Sequence, residues 1–365
     1  MSSLERISPP PLKRRRLSTP PPQTYPEPST SHTITPPPEH SSAKLPTHLT
    51  IYSWNINGIQ PFLPPQTTKI TNILTTPTPS KPPPNQPSLR ACLRRWKWPH
   101  ILALQEVKIA PTDTKTQSLI RRIINTPLDT DDEAASPHHL YDTYFCLPRD
   151  KHNATGFGGK IYGVCTLIRR DINPAATTTT PVPWDIEGRV LLSTLPHHKT
   201  LIYNIYAING TTNPYRSPTT GQVIGTRHDA KRIFHTHLAS SIHSHEAQGW
   251  NVIVAGDMNI SRTSMDSFPR LRMGEEHVRN RADFEEKVIR GCGMRDVWRM
   301  VRGEERKFTY RPRGKRWGEG GDRVDMVLVS RGLEGRVRRV DILDCEEERG
   351  GSDHVPLWVE VEVGG

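Results

Sequence analysis

Short apolar runs that stop abruptly on a carboxylate or carboxamide recur along this sequence, and they constrain its fold more than any other feature. Val252-Ile253-Val254-Ala255 runs straight into Gly256-Asp257-Met258-Asn259, and Ile101-Leu102-Ala103-Leu104 into Gln105-Glu106. Leu49-Thr50-Ile51-Tyr52-Ser53-Trp54-Asn55 alternates in the manner of a half-buried strand and leads to Asn57 and Gly58. Runs of this length and composition read as buried strands. A polar residue at a strand's end has a fixed backbone and an exposed side chain, which suits a functional site. Further strands are expected at 161–168, 190–195, 200–206, 323–329 and 355–363, and helices at 90–98, 116–124, 228–248 and 281–290. In the third helix Phe234, Leu238 and Ile242 recur every four residues, and Gly249 follows as a stop. Its histidines, His235, His237, His243 and His245, read as a solvent-facing set. Segments 129–133 and 177–180 read as loops. Strands and helices alternate without internal repeats, so the chain is expected to be an α/β domain with two sheets or one large one.

Composition sets the limits of that domain. The 35 prolines are unevenly placed, and residues 1–46 hold too few apolar side chains to offset the entropy of ordering them. The expectation is a disordered tail at 1–46 and a folded domain at 47–365, with a second Pro-rich stretch at 61–87 as a surface insertion. Lys13-Arg14-Arg15-Arg16, flanked by prolines in that tail, reads as a nuclear import signal, which implies an import receptor as partner and the nucleus as location. The formal net charge is +11, and residues 269–340 hold 20 Lys and Arg against 12 Asp and Glu. Such a surplus suits a polyanionic partner such as DNA. No apolar run approaches the roughly 20 residues that span a bilayer, so no membrane partner is expected. Cys92, Cys146, Cys165, Cys292 and Cys345 are scattered, without zinc-ligand spacing, and read as free thiols. A monomer is expected.

The strand ends carry the chemistry. Glu106 could bind a hard cation such as Mg²⁺, which prefers one or two carboxylates plus water, or simply pair with Lys108. Asp257 and Asn259 leave one strand together, offering a carboxylate to position water and a neutral donor to hold a phosphate. Asp353 and His354 sit side by side in Gly350-Gly351-Ser352-Asp353-His354, and a carboxylate such as Asp325 would fix the tautomer of that histidine.

Each fragment alone is weak; their order is specific. SWNINGI (53–59), LQEVK (104–108), EGRV (187–190), YAIN (206–209), GDMN (256–259), RVDMVLVS (323–330) and GGSDH (350–354) resemble the successive motifs of the exonuclease III branch of apurinic/apyrimidinic endonucleases, within the endonuclease/exonuclease/phosphatase superfamily. The resemblance implies a four-layer α/β sandwich, two packed β-sheets with helices outside, that hydrolyses DNA phosphodiesters with Mg²⁺ (Mn²⁺ as the other option). It implies that Glu106 holds the metal with Asn57 and Asp353, and that Asp257 deprotonates the attacking water. Asn55, Tyr206, Asn209 and Asn259 would contact the phosphate, with His354, paired to Asp325, facing its developing charge. Two departures stand out. Ala207-Ile208 replaces the x-Pro of the family's Tyr-x-Pro-Asn, and Asp322 stands where abasic-site enzymes place an aromatic residue, with Tyr310 and Trp317 as the nearest substitutes. The competing readings are a tyrosyl-DNA phosphodiesterase of the same superfamily and an inactive binding module that keeps the sandwich.

Overall fold

The longest apolar runs of the sequence become the central strands of two six-stranded sheets. The computed structural model describes residues 46–64, 88–128, 139–154, 162–173 and 176–364. In chain order its first elements are β1 (His48–Asn55), α1 (Leu89–Arg95), β2 (Ile101–Gln105), α2 (Thr114–Ile123), β3 (Tyr141–Cys146), β4 (Val164–Arg169), β5 (Thr178–Pro181), β6 (Val190–Leu195) and β7 (Thr200–Tyr206). Then come β8 (Pro214–Arg216), β9 (Val223–Thr226), α3 (Arg227–Ala247), β10 (Asn251–Asp257), β11 (Ser267–Phe268), α4 (Glu275–Phe284), β12 (Arg295–Asp296) and α5 (Val297–Arg302). The last are β13 (Gly321–Asp322), β14 (Asp325–Val329), β15 (Val337–Ile342), α6 (Glu346–Arg349) and β16 (Leu357–Glu362). The tail with Lys13–Arg16, most of the Pro-rich insertion and the 129–133 segment lie outside the described residues.

The first sheet has the order β15-β16-β1-β2-β4-β3 and the second β12-β14-β10-β7-β6-β5. Each has one parallel pair at its centre, β1 with β2 and β7 with β10, and antiparallel pairs elsewhere. Ile51, Ile101, Ile202, Ile253, Val327 and Val359 fill the space between the sheets. On the outer faces, Phe234, Leu238 and Ile242 of α3 pack over Val252 and Val254, while Leu89, Leu93 and Ile120 of α1 and α2 pack over Leu102 and Leu104. The layers are therefore helix, sheet, sheet, helix, as the motif order implies. Fully burying each such aliphatic side chain contributes about 1.5–3 kcal/mol, so these three interfaces hold the sandwich together. A capping box between Thr226 and Asp229 starts α3, and Gly249, at φ +76, follows its end.

The structure corrects several expectations. Residues 177–180 are mostly strand: β5 pairs with β6 along the sheet edge, where a run of threonines fits a pleated, half-exposed surface. The helix expected at 281–290 begins earlier, at Glu275 behind Gly274, and its second half widens into a π-helical segment, Glu285–Gly291. His235 does not face solvent; it is buried and lies 2.8 Å from Asp283, whereas His237 and His243 are exposed. Among the described residues all five cysteines are free, and no helix is long and apolar enough to cross a membrane.

Candidate active site

In both sheets the central parallel pair delivers its polar residues to one end of the sandwich. Asn55, the last residue of β1, donates from its amide nitrogen to Glu106 Oε1 and to Asp257 Oδ2, each at 3.0 Å. A single side chain thus joins the exit of β2 in one sheet to the exit of β10 in the other. The Asn55 carbonyl oxygen of the side chain accepts from the backbone N–H of Asn57 at 3.0 Å. Opposite, His354 Nδ1 lies 2.7 Å from Asp325 Oδ2, and Asp325 is the register partner of Asp257 across β10 and β14. Ser352 fastens the histidine loop to β1: its hydroxyl donates to the Asn55 backbone carbonyl at 2.6 Å and accepts from the His354 N–H at 3.0 Å. Trp54 Nε1 donates to the His354 carbonyl at 3.0 Å.

The backbone turns sharply just beyond these strands. Asn57, Glu106, Lys108 and Asn259 have φ of 51, 50, 54 and 52°, in the left-handed region. Each such conformation costs a non-glycine residue of order 1–3 kcal/mol, and it persists where the surroundings over-determine it. Gly256 meets a different constraint: at φ +151 a Cβ there would lie 1.9 Å from the Ile205 carbonyl oxygen. The glycine of the Gly-Asp-x-Asn motif is therefore required by close packing of β10 on β7.

Burial and neighbouring charge divide the site. Desolvation, followed by the adjacent Asp325, pushes the Asp257 carboxyl up to about 7, despite its hydrogen bonds from Asn259 and Asn55. For His354 burial acts downward, but Asp325, Asp257 and Asp353 prevail and raise it to about 10. Glu106 moves the other way: burial opposes ionisation, yet Lys108 and hydrogen bonds from Asn55 and Tyr206 hold it below the usual carboxylate range. Tyr206 is raised well above its ordinary value by burial and by Glu106.

A cavity of about 240 Å³ opens here. Glu106, Tyr206, Asn209, Asp257, Asn259, Asp353 and His354 line it; Asn55 and Asp325 are buried behind that surface and act through their neighbours, and the partly exposed Asn57 is hydrogen-bonded to Asp353. Asn55, expected at the phosphate, is fully buried, and its amide nitrogen donates to both Glu106 and Asp257. The donors around Glu106 fit a hard cation. Lys108 Nζ lies 2.9 Å from Glu106 Oε2 and also hydrogen-bonds Asn57 Oδ1, while Asn57 Nδ2 donates to Asp353 Oδ1 at 2.8 Å. Oxygen atoms of two expected ligands therefore already converge on one positive charge. Asp257, Asp325 and His354 also bring ligand-type atoms within 4.8 Å of one another, and Asp325 Oδ1 is buried with no hydrogen-bond partner. A histidine held protonated has no lone pair to offer a metal, which weighs against coordination there.

The match to a family model settles what this geometry belongs to. The model of the endonuclease/exonuclease/phosphatase family matches residues 52–354. The chain belongs to that family. Among solved structures, the chain is similar in fold to an AP endonuclease from Archaeoglobus fulgidus, at 18% identity and TM-score 0.56, over 86% of this chain and 100% of that one. The catalytic domain of APE2 from Xenopus laevis matches at 18% identity and TM-score 0.57, over 87% and 94%. A 3′ phosphatase, NExo from Neisseria, bound to product DNA hairpin, matches at 16% and 0.52, over 86% and 100%. No curated protein matches the sequence.

Within this member of the endonuclease/exonuclease/phosphatase family, several residues at the site were not singled out from sequence. Lys231 of α3 is buried and donates to the backbone carbonyls of Met258 and Asn259 at 3.2 and 2.8 Å, bracing the turn after Asp257. Arg189 of the EGRV segment lies 4.9 Å from the ring centres of Tyr206 and Tyr162 and donates to Glu187 at 2.9 Å, which fixes the Tyr206 ring. Lysine in an amphipathic helix carries no signal of this kind, whereas Arg189 lay inside a motif already noted. Asp322, the departure, lines the cavity and accepts from the hydroxyls of Ser261 and Ser267 at 3.1 and 2.5 Å. Tyr310 lines the cavity 5.2 Å from the His354 ring, but Trp317 packs between Arg311 and Arg349 and is not part of the wall.

Proposed function

We propose that this protein is a Mg²⁺-dependent phosphodiesterase acting on DNA, a repair endonuclease of the apurinic/apyrimidinic type or an exonuclease that processes 3′ ends. The observation that carries the reading is the Asn55 amide bridging Glu106 of one sheet and Asp257 of the other, with the His354–Asp325 pair facing them. A buried carboxylate, an imidazole paired to a second carboxylate and an oxygen-rich cluster around one cavity support this reading, because in-line hydrolysis of a phosphate ester needs a base, a hydrogen-bond donor to the developing charge and a cation site.

In this reading Asp257 accepts the proton of the attacking water, and its raised pKa makes it a competent base near neutral pH. His354, protonated and oriented by Asp325, donates a hydrogen bond to the negative charge that develops on phosphate. Tyr206, Asn209 and Asn259 contact the phosphate from the cavity wall. Asn55 keeps Glu106 and Asp257 in register. Glu106, with Asn57 and Asp353, would hold Mg²⁺ or Mn²⁺, which when bound supplies Lewis-acid stabilisation of that charge. Asp322, polar where an abasic-site enzyme has an aromatic residue, leaves that part of the cavity wall less suited to packing on a base-free sugar. We also propose entry to the nucleus through Lys13–Arg16, tested by whether a reporter fused to residues 1–46 loses nuclear accumulation when all four are changed to alanine.

A substrate panel tests the reading. Abasic duplex, blunt and recessed duplex ends and a 5′-tyrosyl end are incubated with the full chain, with and without Mg²⁺. Metal-dependent nicking of the abasic duplex or shortening of a 3′ end is expected. Release of 5′-phosphotyrosine alone would replace this reading with a tyrosyl-DNA phosphodiesterase, and no turnover of any diester by folded protein would leave a binding module.

A further inference from the structure

Backbone pairing ties Asp322 to the reacting end of the cavity. Tyr310 bridges His354 on one side and Asp322 on the other, both antiparallel, and Asp322 is in turn the register partner of Ser267. Residues directly opposite one another in such a ladder present their side chains on one face. His354, Tyr310 and Asp322 accordingly all line the cavity. Neighbouring strands lie about 4.8 Å apart, so two steps put the Asp322 backbone about 10 Å from that of His354. In the reading above His354 faces the reacting phosphate. The sugar and base carried by a phosphate extend over this span, so Asp322 stands beside a nucleoside attached to the reacting group.

Only half of the Asp322 carboxylate is used inside the protein. Oδ1 accepts from the hydroxyls of Ser261 and Ser267 at 3.1 and 2.5 Å, which fastens β11 and the segment after β10 to β13. The backbone is held as firmly: the Asp322 N–H donates to the Tyr310 carbonyl at 3.1 Å, and its own carbonyl accepts from the N–H groups of Thr309 and Tyr310 at 3.1 and 2.8 Å. Oδ2 takes no hydrogen bond from any described residue. The Arg272 guanidinium stands 3.7 Å from it, beyond hydrogen-bond range, on a side chain that is 61% exposed. Joining β11 to β13 therefore accounts for Oδ1 and leaves Oδ2 unexplained.

A carboxylate oxygen fixed in the wall of a site for a polyanion repels its substrate. That cost is offset when the substrate brings a donor, because a carboxylate accepts hydrogen bonds and those made to a charged group are the stronger kind. A site built this way discriminates by penalising the analogue that lacks the donor.

We infer that Asp322 is a specificity-determining residue, favouring a substrate whose nucleoside beside the reacting phosphate offers a neutral hydrogen-bond donor over one that offers none. The inference rests on the proposed phosphodiesterase function and narrows its substrate. Two sources share this chemistry: the hydroxyl on the anomeric carbon of a base-free deoxyribose, and the exocyclic amine of a base that is still attached.

Equilibrium binding of fluorescent duplexes to the full chain, without Mg²⁺ so that no turnover intervenes, tests it with two matched pairs. The first pair carries a natural abasic residue or its tetrahydrofuran analogue, which lacks the anomeric hydroxyl. The second ends in an unpaired 3′ adenine or in unsubstituted purine, which lacks the amine. One hydrogen bond to a charged group corresponds to about a tenfold change in Kd. Wild type should bind the donor-bearing member of a pair about tenfold more tightly, and the pair that responds identifies the donor. Asp322→Asn keeps an oxygen for the two serines while turning the other atom from acceptor to donor, so the preference should shrink below twofold. Asp322→Ala, which removes the acceptor altogether, should do the same. Equal binding within both pairs by wild type overturns the inference, and so does a preference that both variants retain. A preference that depends on Asp322, with no turnover in the substrate panel, would remove the enzymatic reading and leave the recognition standing. Turnover in the panel with no preference here would do the reverse.

Discussion

The two sides of the cavity hold similar side chains at different degrees of burial. On one, Asp257, Asp325 and His354 are all buried, and their charges act on each other in a medium that screens poorly. On the other, Glu106 and Lys108 each keep 16% of their side-chain surface exposed, and with Asn57 and Asp353 they form a looser, partly hydrated cluster. The same residue type answers differently: the Asp257 carboxyl is raised and the Glu106 carboxyl lowered. Burial beside another carboxylate suits a group that must gain and lose a proton. A carboxylate kept ionised by an ammonium and by hydrogen bonds from Asn55 and Tyr206 suits one that must hold a cation. The two sides thus divide proton transfer from cation binding, and Asn55 ties them together.

The largest effect is expected from the buried side. Asp257→Asn removes the base while keeping the shape, and kcat should fall about 10³-fold or more in a steady-state cleavage assay. Retention of near wild-type kcat would undo the division. Asp325→Asn comes next, with a fall of about 10²-fold and a displaced pH profile. Wild-type activity should rise as Asp257 deprotonates near pH 7 and fall as His354 deprotonates near pH 10. Asp325 raises both values, one by repelling a carboxylate and the other by stabilising an imidazolium. Its neutralisation should therefore move both limbs to lower pH, and an unshifted profile would break the link.

Smaller effects belong to the Glu106 side and to the asparagine that joins it to Asp257. Asn55→Ala leaves Glu106 without a positioning hydrogen bond, and the Mg²⁺ concentration for half-maximal activity should rise about 10–100-fold. Lys108→Met is the mildest change. The ammonium competes with a metal for Glu106 and Asn57, so its loss should lower that concentration, by about fivefold at most for a pair worth about 1 kcal/mol. A higher requirement after Lys108→Met would show that lysine assists the cation.

Much of this arrangement is legible in the sequence because strand and site coincide. The apolar run before Asp257 fixes where β10 ends, and the one before Glu106 fixes β2, so their residues leave the two sheets at the same end of the sandwich. What sequence could not convey depends on contacts between distant segments. Asn55 looks like a substrate ligand until Glu106 and Asp257 are both seen on its amide. Lys231 is four residues into a helix whose other polar residues are mostly solvated, and only packing on the Met258–Asn259 turn distinguishes it. β15 was missed because Arg338 and Arg339 mask an exposed edge strand, and β3 because Asp142 and Thr143 dilute its apolar alternation.

The division of labour is most directly tested by anomalous diffraction from crystals of the full chain grown with Mn²⁺. The account predicts a single strong peak in contact with Glu106, with His354 Nδ1 still on Asp325. A peak seated instead among Asp257, Asp325 and His354, with none at Glu106, would contradict it.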